Sequence, residues 1–471
     1  MLKIMRVTSL NSASVLIEDE NVKILCDPWL MGEEYFGSWG IYPPYEFKSE
    51  MFEDVDFIYI SHIHPDHCSK QTLKNLNKKI PVLIHNFPEK SLKFKIEELG
   101  FKVIEVEHNL RIRLKNNVFI NILAADNCDP NICGKLMGCG LLETKFGTTQ
   151  IDTMSVIDNK KEVIVNTNDC PLQIAKNTAK IVKSLYPKID LLLVGYVKAS
   201  SYPQTFELEI GEKIIESKKK QEQKLETTRD FIKLFEPKVY IPFAGRYTLT
   251  GKFIELNQYR GEPELEYASE WLKKNIPQEK YKGIILNHNE FYDITNNQIS
   301  KDYEPINLQE KENYVENNFL KKSFDYEKDQ IPKIAEFLEL IPKAYENFES
   351  VRKKIEWVSD TMIILRLDVN NDRKEDMPIA VAISCNGKGI EIIRNEEEIL
   401  KFKKYLQMSL DLRLLKWLLL GPKKAHWSLV DIGCHIKYKR VPNNYERGLY
   451  YCWNRFFVSK NEKNNMIASF N

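Results

Sequence analysis

The sequence predicts an α/β protein, an αββα sandwich followed by a C-terminal α+β domain, and three observations predict it. Short β-type apolar runs alternate with helix-length segments as far as residue 194. The chain then turns polar and aperiodic over 296–313, which marks a linker. A fresh helix-and-strand series follows. At 471 residues the chain exceeds one ordinary core, so the division falls between a first domain over 1–300 and a second over 314–471.

Taken in order, the residues from Met1 to Val7 run straight into strand-like sequence. Strands are expected at 14–17, 22–26, 57–60, 82–85, 103–106 and 118–123, where Val, Ile, Leu and Phe cluster between turn residues. Helices over 70–76 and 89–99 separate them. Strands resume at 154–157 and 163–166, and a helix over 173–185 leads to the apolar run 189–194. Residues 211–235 are rich in Lys and Glu, with Ile214, Ile215, Leu225, Phe231 and Leu234 at helical spacing, which reads as a long helix with a solvated face. The second domain begins with a helix over 331–344. Strands at 362–367, 379–384 and 389–393 follow, then helices over 400–420 and 445–457.

Composition narrows the function classes. Hydrophobic residues at 43% and aromatics at 11% supply a core without disulfides or a structural zinc. Lys plus Arg at 68 against Asp plus Glu at 67 gives a net charge of +1, so nothing draws the chain to nucleic acid or anionic lipid. An anionic ligand must therefore be held locally. Nine cysteines, an odd number without the spacing of a secreted scaffold, point to reduced thiols and a cytoplasmic location. The N-terminus has no apolar run of signal length, and the apolar run 414–420 falls far short of the roughly 20 residues of a membrane span.

Chemistry concentrates at Ser61-His62-Ile63-His64-Pro65-Asp66-His67, which follows the apolar run Phe57-Ile58-Tyr59-Ile60. Three of eight histidines stand within six positions. His62 and His64, two apart on extended backbone, point to the same side and can share one metal ion. Asp66 and His67 turn with the loop toward a second ion, and Pro65 keeps the residue before it extended. Three imidazoles and a carboxylate suit zinc, iron or manganese rather than calcium.

This motif, with Asp27-Pro28-Trp29 after an earlier strand, resembles the signature of the metallo-β-lactamase superfamily. The resemblance implies two metal ions and a bridging aspartate at the end of a later strand. Asp169, in Asn166-Thr167-Asn168-Asp169-Cys170, fits that place, and Asp66 and Asp169 become catalytic as well as ligating residues. Further segments are similar to the metallo-β-lactamase-like part of the CMP-N-acetylneuraminate hydroxylase family. They are Asp27 to Leu30, Thr72-Leu73-Lys74, Asp152-Thr153, Tyr202-Pro203 with Thr205-Phe206, and Pro242-Phe243-Ala244-Gly245, with weaker similarity at Asp431-Ile432-Gly433 and from Tyr450 to Phe456.

Three departures from that pattern matter. The Cys-x-His and Cys-x-x-His pairs of a Rieske centre do not occur in the sequence, so a separate electron-donor protein is expected. The superfamily's next histidine is missing where Ala125-Asp126-Asn127-Cys128-Asp129 stands, which makes Asp126, Cys128 and Asp129 candidate replacement ligands or plain loop formers. The last histidine is missing at 242–247; His288 is an alternative, with packing the plainer role. His85 is expected beside the metal sheet, His108 exposed, and His426 and His435 in packing or a ligand surface.

The hydroxylase resemblance implies an iron-dependent oxygenase, a monooxygenase acting on an anionic small molecule such as a nucleotide sugar. Lys198, Tyr202 and Arg246 are the candidate anion-binding residues. Iron is favoured over zinc on the same ground. With zinc, the centre would instead hydrolyse a phosphoester, lactone or amide. An inactive relative that only binds a metal or ligand is the third alternative.

Overall fold

The computed structural model describes residues 4–19, 22–88, 90–125, 152–369 and 378–459. Its first sheet has eight strands. Met5–Asn11, Ser14–Asp19 and Val22–Cys26 form an antiparallel meander, and Phe57–Tyr59, Val82–His85 and Val103–Val106 continue it in parallel. Phe291–Asp293 and Gln298–Ile299 close the other edge. The second sheet runs in the order Lys282–Gly283, Val239–Phe243, Leu191–Gly195, Val163–Asn166, Thr153–Asp158, Val118–Ala124, Ile112–Lys115.

Strand periodicity builds the layers. Leu191 and Leu193 face the first sheet among Val7, Ile17, Ile24 and Tyr59, whereas Leu192 and Val194 point outward to the helices Leu172–Leu185 and Ile210–Phe235. On the far side Leu73, Leu92 and Ile96, from the helices Lys70–Lys74 and Ser91–Glu97, cover Leu25 and Ile58. The result is the αββα sandwich, with strand ends and their loops along one rim.

A separate sheet of five strands, in the order Ile390–Ile393, Ala380–Ser384, Met362–Arg366, Tyr405–Ser409, Lys437–Val441, packs with the helices Ile334–Lys354, Leu412–Leu419 and Arg447–Trp453. Its core takes in Phe206 of the first lobe, whose ring stacks on Tyr438 at 4.7 Å. Backbone bonds join the lobes there, from Glu207 N to Tyr438 O at 2.7 Å and from Tyr438 N to Thr205 O at 3.0 Å.

Two expectations need correction. The polar stretch 296–313 is not a bare linker, because it holds an edge hairpin and the start of the helix Leu308–Phe319. Asn307 caps that helix, its side chain accepting from Gln309 N and Glu310 N, and Phe319 closes over Gly40, where a Cβ would sit 2.7 Å from the ring. The expected helix over 400–420 is a strand, Tyr405–Ser409, followed by the helix Leu412–Leu419. Tyr405, Leu406 and Met408 are buried between neighbouring strands, and tertiary pairing overrides their helix propensity. Among the described residues no helix is long and apolar enough to cross a membrane.

Candidate metal centre

The centre is organised by Asp27, which sits fully buried at the end of Val22–Cys26 with φ +45°. Its carboxylate accepts from Ser61 N at 2.7 Å and from Ser61 Oγ at 2.7 Å, and lies 2.9 Å from His67 Nδ1. These bonds fix protons. With Nδ1–H committed to Asp27, His67 has Nε2 left for a metal ion; with Ser61 Oγ donating to Asp27, the same oxygen accepts from His62 Nδ1 at 2.9 Å, so His62 likewise has Nε2 left.

Those nitrogens converge. His62 Nε2 lies 2.9 Å from His64 Nδ1 and 4.0 Å from Asp169 Oδ2, and ligand atoms of His62, His64 and Asp169 all fall within 4.8 Å of one another. Metal–nitrogen bonds of about 2.0–2.1 Å fit that spacing. Alongside, His67 Nε2 is 3.5 Å from Asp66 Oδ2 and 3.5 Å from Asp169 Oδ2, which places Asp169 between two ligand groups. Tyr35 donates to Asp66 Oδ1 at 2.7 Å and turns the other oxygen toward His67.

Asp169 follows Asn168, whose φ of +44° is stabilised by its backbone N–H bonding to Asn166 Oδ1 and its amide bonding to Thr153 O. Gly195 lets this turn approach, since a Cβ there would stand 3.0 Å from Asn168 O. Burial alone would raise the Asp169 carboxyl, but His67, His62 and His64 overcome it and hold it well below the usual range. Burial likewise lowers His67, yet Asp169, Asp66 and Asp27 raise it well above its ordinary value. This excess of carboxylate is the electrostatic setting that metal cations neutralise.

The structure thus brings together His62, His64, Asp66, His67 and Asp169. Asp126, Cys128 and Asp129 lie outside the described residues. Asp152, at the start of the strand Thr153–Asp158, is buried with Oδ1 3.8 Å from His62 Nε2, where a further ligand is wanted. His288 stands apart, 6.0 Å from the Tyr45 ring, and burial and Arg246 push it down to about 3. His85 is buried in its strand, with Nε2 3.3 Å from Nδ1 of the exposed His108. Two residues of the second lobe reach the centre. His426 lies close enough to His64 that burial, Arg455 and His64 push it down to about 3, and its Nδ1 is 2.7 Å from Ser428 Oγ. His435 accepts from Tyr326 OH at Nδ1 and donates through Nε2 to Tyr35 O at 2.8 Å.

Ser428 also lines a cleft of about 600 Å³ between the lobes, walled by Tyr202, Lys220, Trp427, Arg440 and Tyr450. His426, through its contact with Ser428, stands between this cleft and His64. Lys220 Nζ bonds Ser200 Oγ at 2.6 Å and Tyr202 O at 2.8 Å, and burial pushes it down to about 8. Lys224, one turn on, is also pushed down to about 8 by burial, against the pull of Asp169. Lys198 is exposed, and its charge acts on both lysines. The Arg246 guanidinium donates to Leu286 O at 2.7 Å, lies 5.8 Å from the Tyr303 ring, and is not among the residues that line this cleft. Lys220 and Lys224 were concealed in a charge run that reads as solvated, though Ser217, Lys220, Gln221, Lys224 and Thr228 share one helical face.

Residues 6–127, in the first part of the sandwich, match the family model described as "Beta-lactamase superfamily domain". Cytidine monophosphate-N-acetylneuraminic acid hydroxylase of Danio rerio is 26% identical over 284 residues, 58% of this chain and 42% of that protein. A protein of Mycolicibacterium smegmatis named for a Rieske 2Fe-2S iron–sulfur centre is 26% identical over 267 residues, 55% of this chain and 47% of its own length. The chain thus matches less than half the length of these curated relatives. Among solved structures, CmlA, a diiron β-hydroxylase from Streptomyces venezuelae, gives 14% identity and a TM-score of 0.39, covering 62% of this chain and 53% of that one. An isothiocyanate hydrolase from Delia radicum gut bacteria gives 13% and 0.42, covering 61% and 98%.

Proposed function

We propose that this chain, which carries a β-lactamase superfamily domain, is a metal-dependent enzyme, an iron-dependent oxygenase that hydroxylates an anionic small molecule such as a nucleotide sugar. The observation that carries the reading is the convergence of His62, His64 and Asp169 within 4.8 Å, with Asp66, His67 and Asp152 around them. His62, His64, Asp152 and Asp169 would hold one ion; Asp66, His67 and Asp169 would hold the other. Among the described residues the set has as many carboxylates as imidazoles, which suits iron. When bound, iron supplies the activation of dioxygen.

The chain's own residues do the rest. Asp27 and Ser61 hold two imidazoles in the tautomers that present Nε2, and Tyr35 orients Asp66. Arg440 and Lys220 offer positive charge in the cleft, and the rings of Tyr202, Tyr450 and Trp427 exclude water around the bound molecule. Lys224 adds a buried cation beside Asp169. Electrons have to come from a donor outside these 471 residues, because the ligand pairs of a Rieske centre do not occur in them. The named hydroxylase relatives support this reading for the part of their length that the chain matches.

The test is iron and zinc counted per chain after anaerobic purification, then oxygen uptake with an added one-electron donor and candidate nucleotide sugars. Iron-dependent uptake is expected, and His62→Ala and His64→Ala should each lose metal and activity. An iron form that takes up no oxygen, beside a zinc form that hydrolyses a phosphoester or amide, would overturn the oxygenase reading. Unchanged metal content in both variants would overturn the site.

A further inference from the structure

Beside Asp66 begins a run of readily oxidised rings that binding of metal and substrate does not account for. Tyr35, whose hydroxyl donates to Asp66 Oδ1, has its ring centre 4.2 Å from that of Trp39, and Trp39 stacks on Tyr247 at 3.6 Å with 10° between the planes. All three are buried. Their polar ends differ in a telling way. Tyr35 donates to Asp66, and Tyr247 donates to Glu262 Oε2 at 2.9 Å, whereas the buried Trp39 Nε1 has no hydrogen-bond partner among the described residues. An oxidised phenol is strongly acidic and needs a proton acceptor at its oxygen; an oxidised indole can keep its proton. Both phenols have a carboxylate in place, and the indole between them has none. Rings in van der Waals contact also pass electrons readily, since transfer decays steeply with distance.

We propose that Tyr35, Trp39 and Tyr247 form a one-electron path into the metal centre. The path rests on the oxygenase reading of that centre. Once dioxygen or peroxide has oxidised the centre, one electron leaves Tyr35 for it, and the phenolic proton moves to Asp66 Oδ1. Trp39 returns an electron to Tyr35, the proton comes back from Asp66, and Trp39 is left one electron short with its N–H intact. Tyr247 reduces Trp39 and passes its proton to Glu262 Oε2. The ferredoxin-like one-electron donor that the proposed reaction already requires reduces Tyr247, and Glu262 returns the proton. The net change is one electron moved from donor to centre, with every side chain restored. The guanidinium of Arg260, 4.7 Å from the Tyr247 ring, and the Glu262 carboxylate, both buried, place opposite charges at the Tyr247 end, where a proton has to leave and return.

The experiment treats iron-loaded full chain with hydrogen peroxide in the absence of substrate, freezes it during the reaction, and reads the radicals by paramagnetic resonance. Peptide mass spectrometry then locates oxygen added to ring side chains. The expected result is a tyrosyl or tryptophanyl signal that narrows with ring-deuterated tyrosine, and oxidation at Tyr35, Trp39 and Tyr247. Trp39→Phe keeps an aromatic ring in the stack and should lose the oxidation of Tyr247 at unchanged iron content; Tyr247→Phe should shift the radical to Trp39. Iron-loaded protein that takes up oxygen yet forms no ring radical overturns the path alone. Unchanged oxidation of Tyr247 in Trp39→Phe does the same, and a chain that holds no iron overturns both the path and the oxygenase reading.

Discussion

Asp27 shows how much of the centre hangs on a residue that binds no metal. It accepts three hydrogen bonds from Ser61 and His67, and it does so in a left-handed backbone conformation. Asparagine tolerates that conformation, so Asp27→Asn leaves the backbone undisturbed and tests the hydrogen bonds alone. We expect a loss of about 10–100-fold in affinity at the ion position that uses His67, read by competition with a chelator. An unchanged affinity would show that His67 is oriented by packing. Glu34 offers a pH-dependent counterpart. Burial pushes its carboxyl up to about 8, against Ser69 and Lys95. The folded chain therefore keeps a proton that the unfolded chain has released, and stability falls as pH rises from the ordinary carboxylate range to about 8. Glu34→Gln has no such proton to lose, so its gain in Tm over wild type should grow across that window and level off above it. A gain independent of pH would show that Glu34 does not titrate there.

The helix Ile210–Phe235 is the element whose composition misleads most. Its Lys and Glu content averages to a solvated helix, and much of its surface is that, yet Lys220 and Lys224 turn inward with Ser217, Gln221 and Thr228. Periodicity counted over apolar residues alone does not register a polar inner face. Burial lowers Lys224 to about 8, so the folded chain releases this proton more readily than the unfolded one, and the cost is greatest at and below neutral pH. Lys224→Met should then be at least as stable as wild type at neutral pH while KM for an anionic substrate rises, tenfold for each ~1.4 kcal/mol of binding lost. A less stable variant with unchanged KM would make Lys224 structural. By contrast, the stretch Ser61 to His67 was legible because its ligand-type residues crowd into the turn that follows the strand Phe57–Tyr59, and Asp169 because it follows a strand in the matching order. Tyr35 was not legible as a site residue, Asp152 only as part of a similar segment, and His435 only as a histidine of packing or a ligand surface. Each reaches the centre by a contact that joins distant parts of the chain, which no local spacing records.

At the scale of the molecule, the two lobes are less separable than the sequence implies. The segment from Ser201 to Glu207 pairs with Tyr438, Ser201 Oγ donates to Asp431 Oδ1 at 2.6 Å, and His435 grips the carbonyl of Tyr35, the residue that orients Asp66. Removing residues 314–471 would expose Phe206 and release Tyr35. Such a truncated chain is expected to lose cooperative melting and at least one metal ion; a sharp melt with full metal content would show that the first lobe stands alone. The alternation of apolar runs foretold the sandwich because each strand has one face per sheet, whereas the strand Tyr405–Ser409 depended on neighbours far along the chain. The bonds from Asp27 to Ser61 and His67, and from Tyr35 to Asp66, run from protein to protein. These contacts need no ion, so we expect the chain to fold first and be loaded afterwards: a chelator should silence it without unfolding it, and restored metal should revive it without a refolding step; loss of the fold with the metal would show instead that binding and folding are coupled.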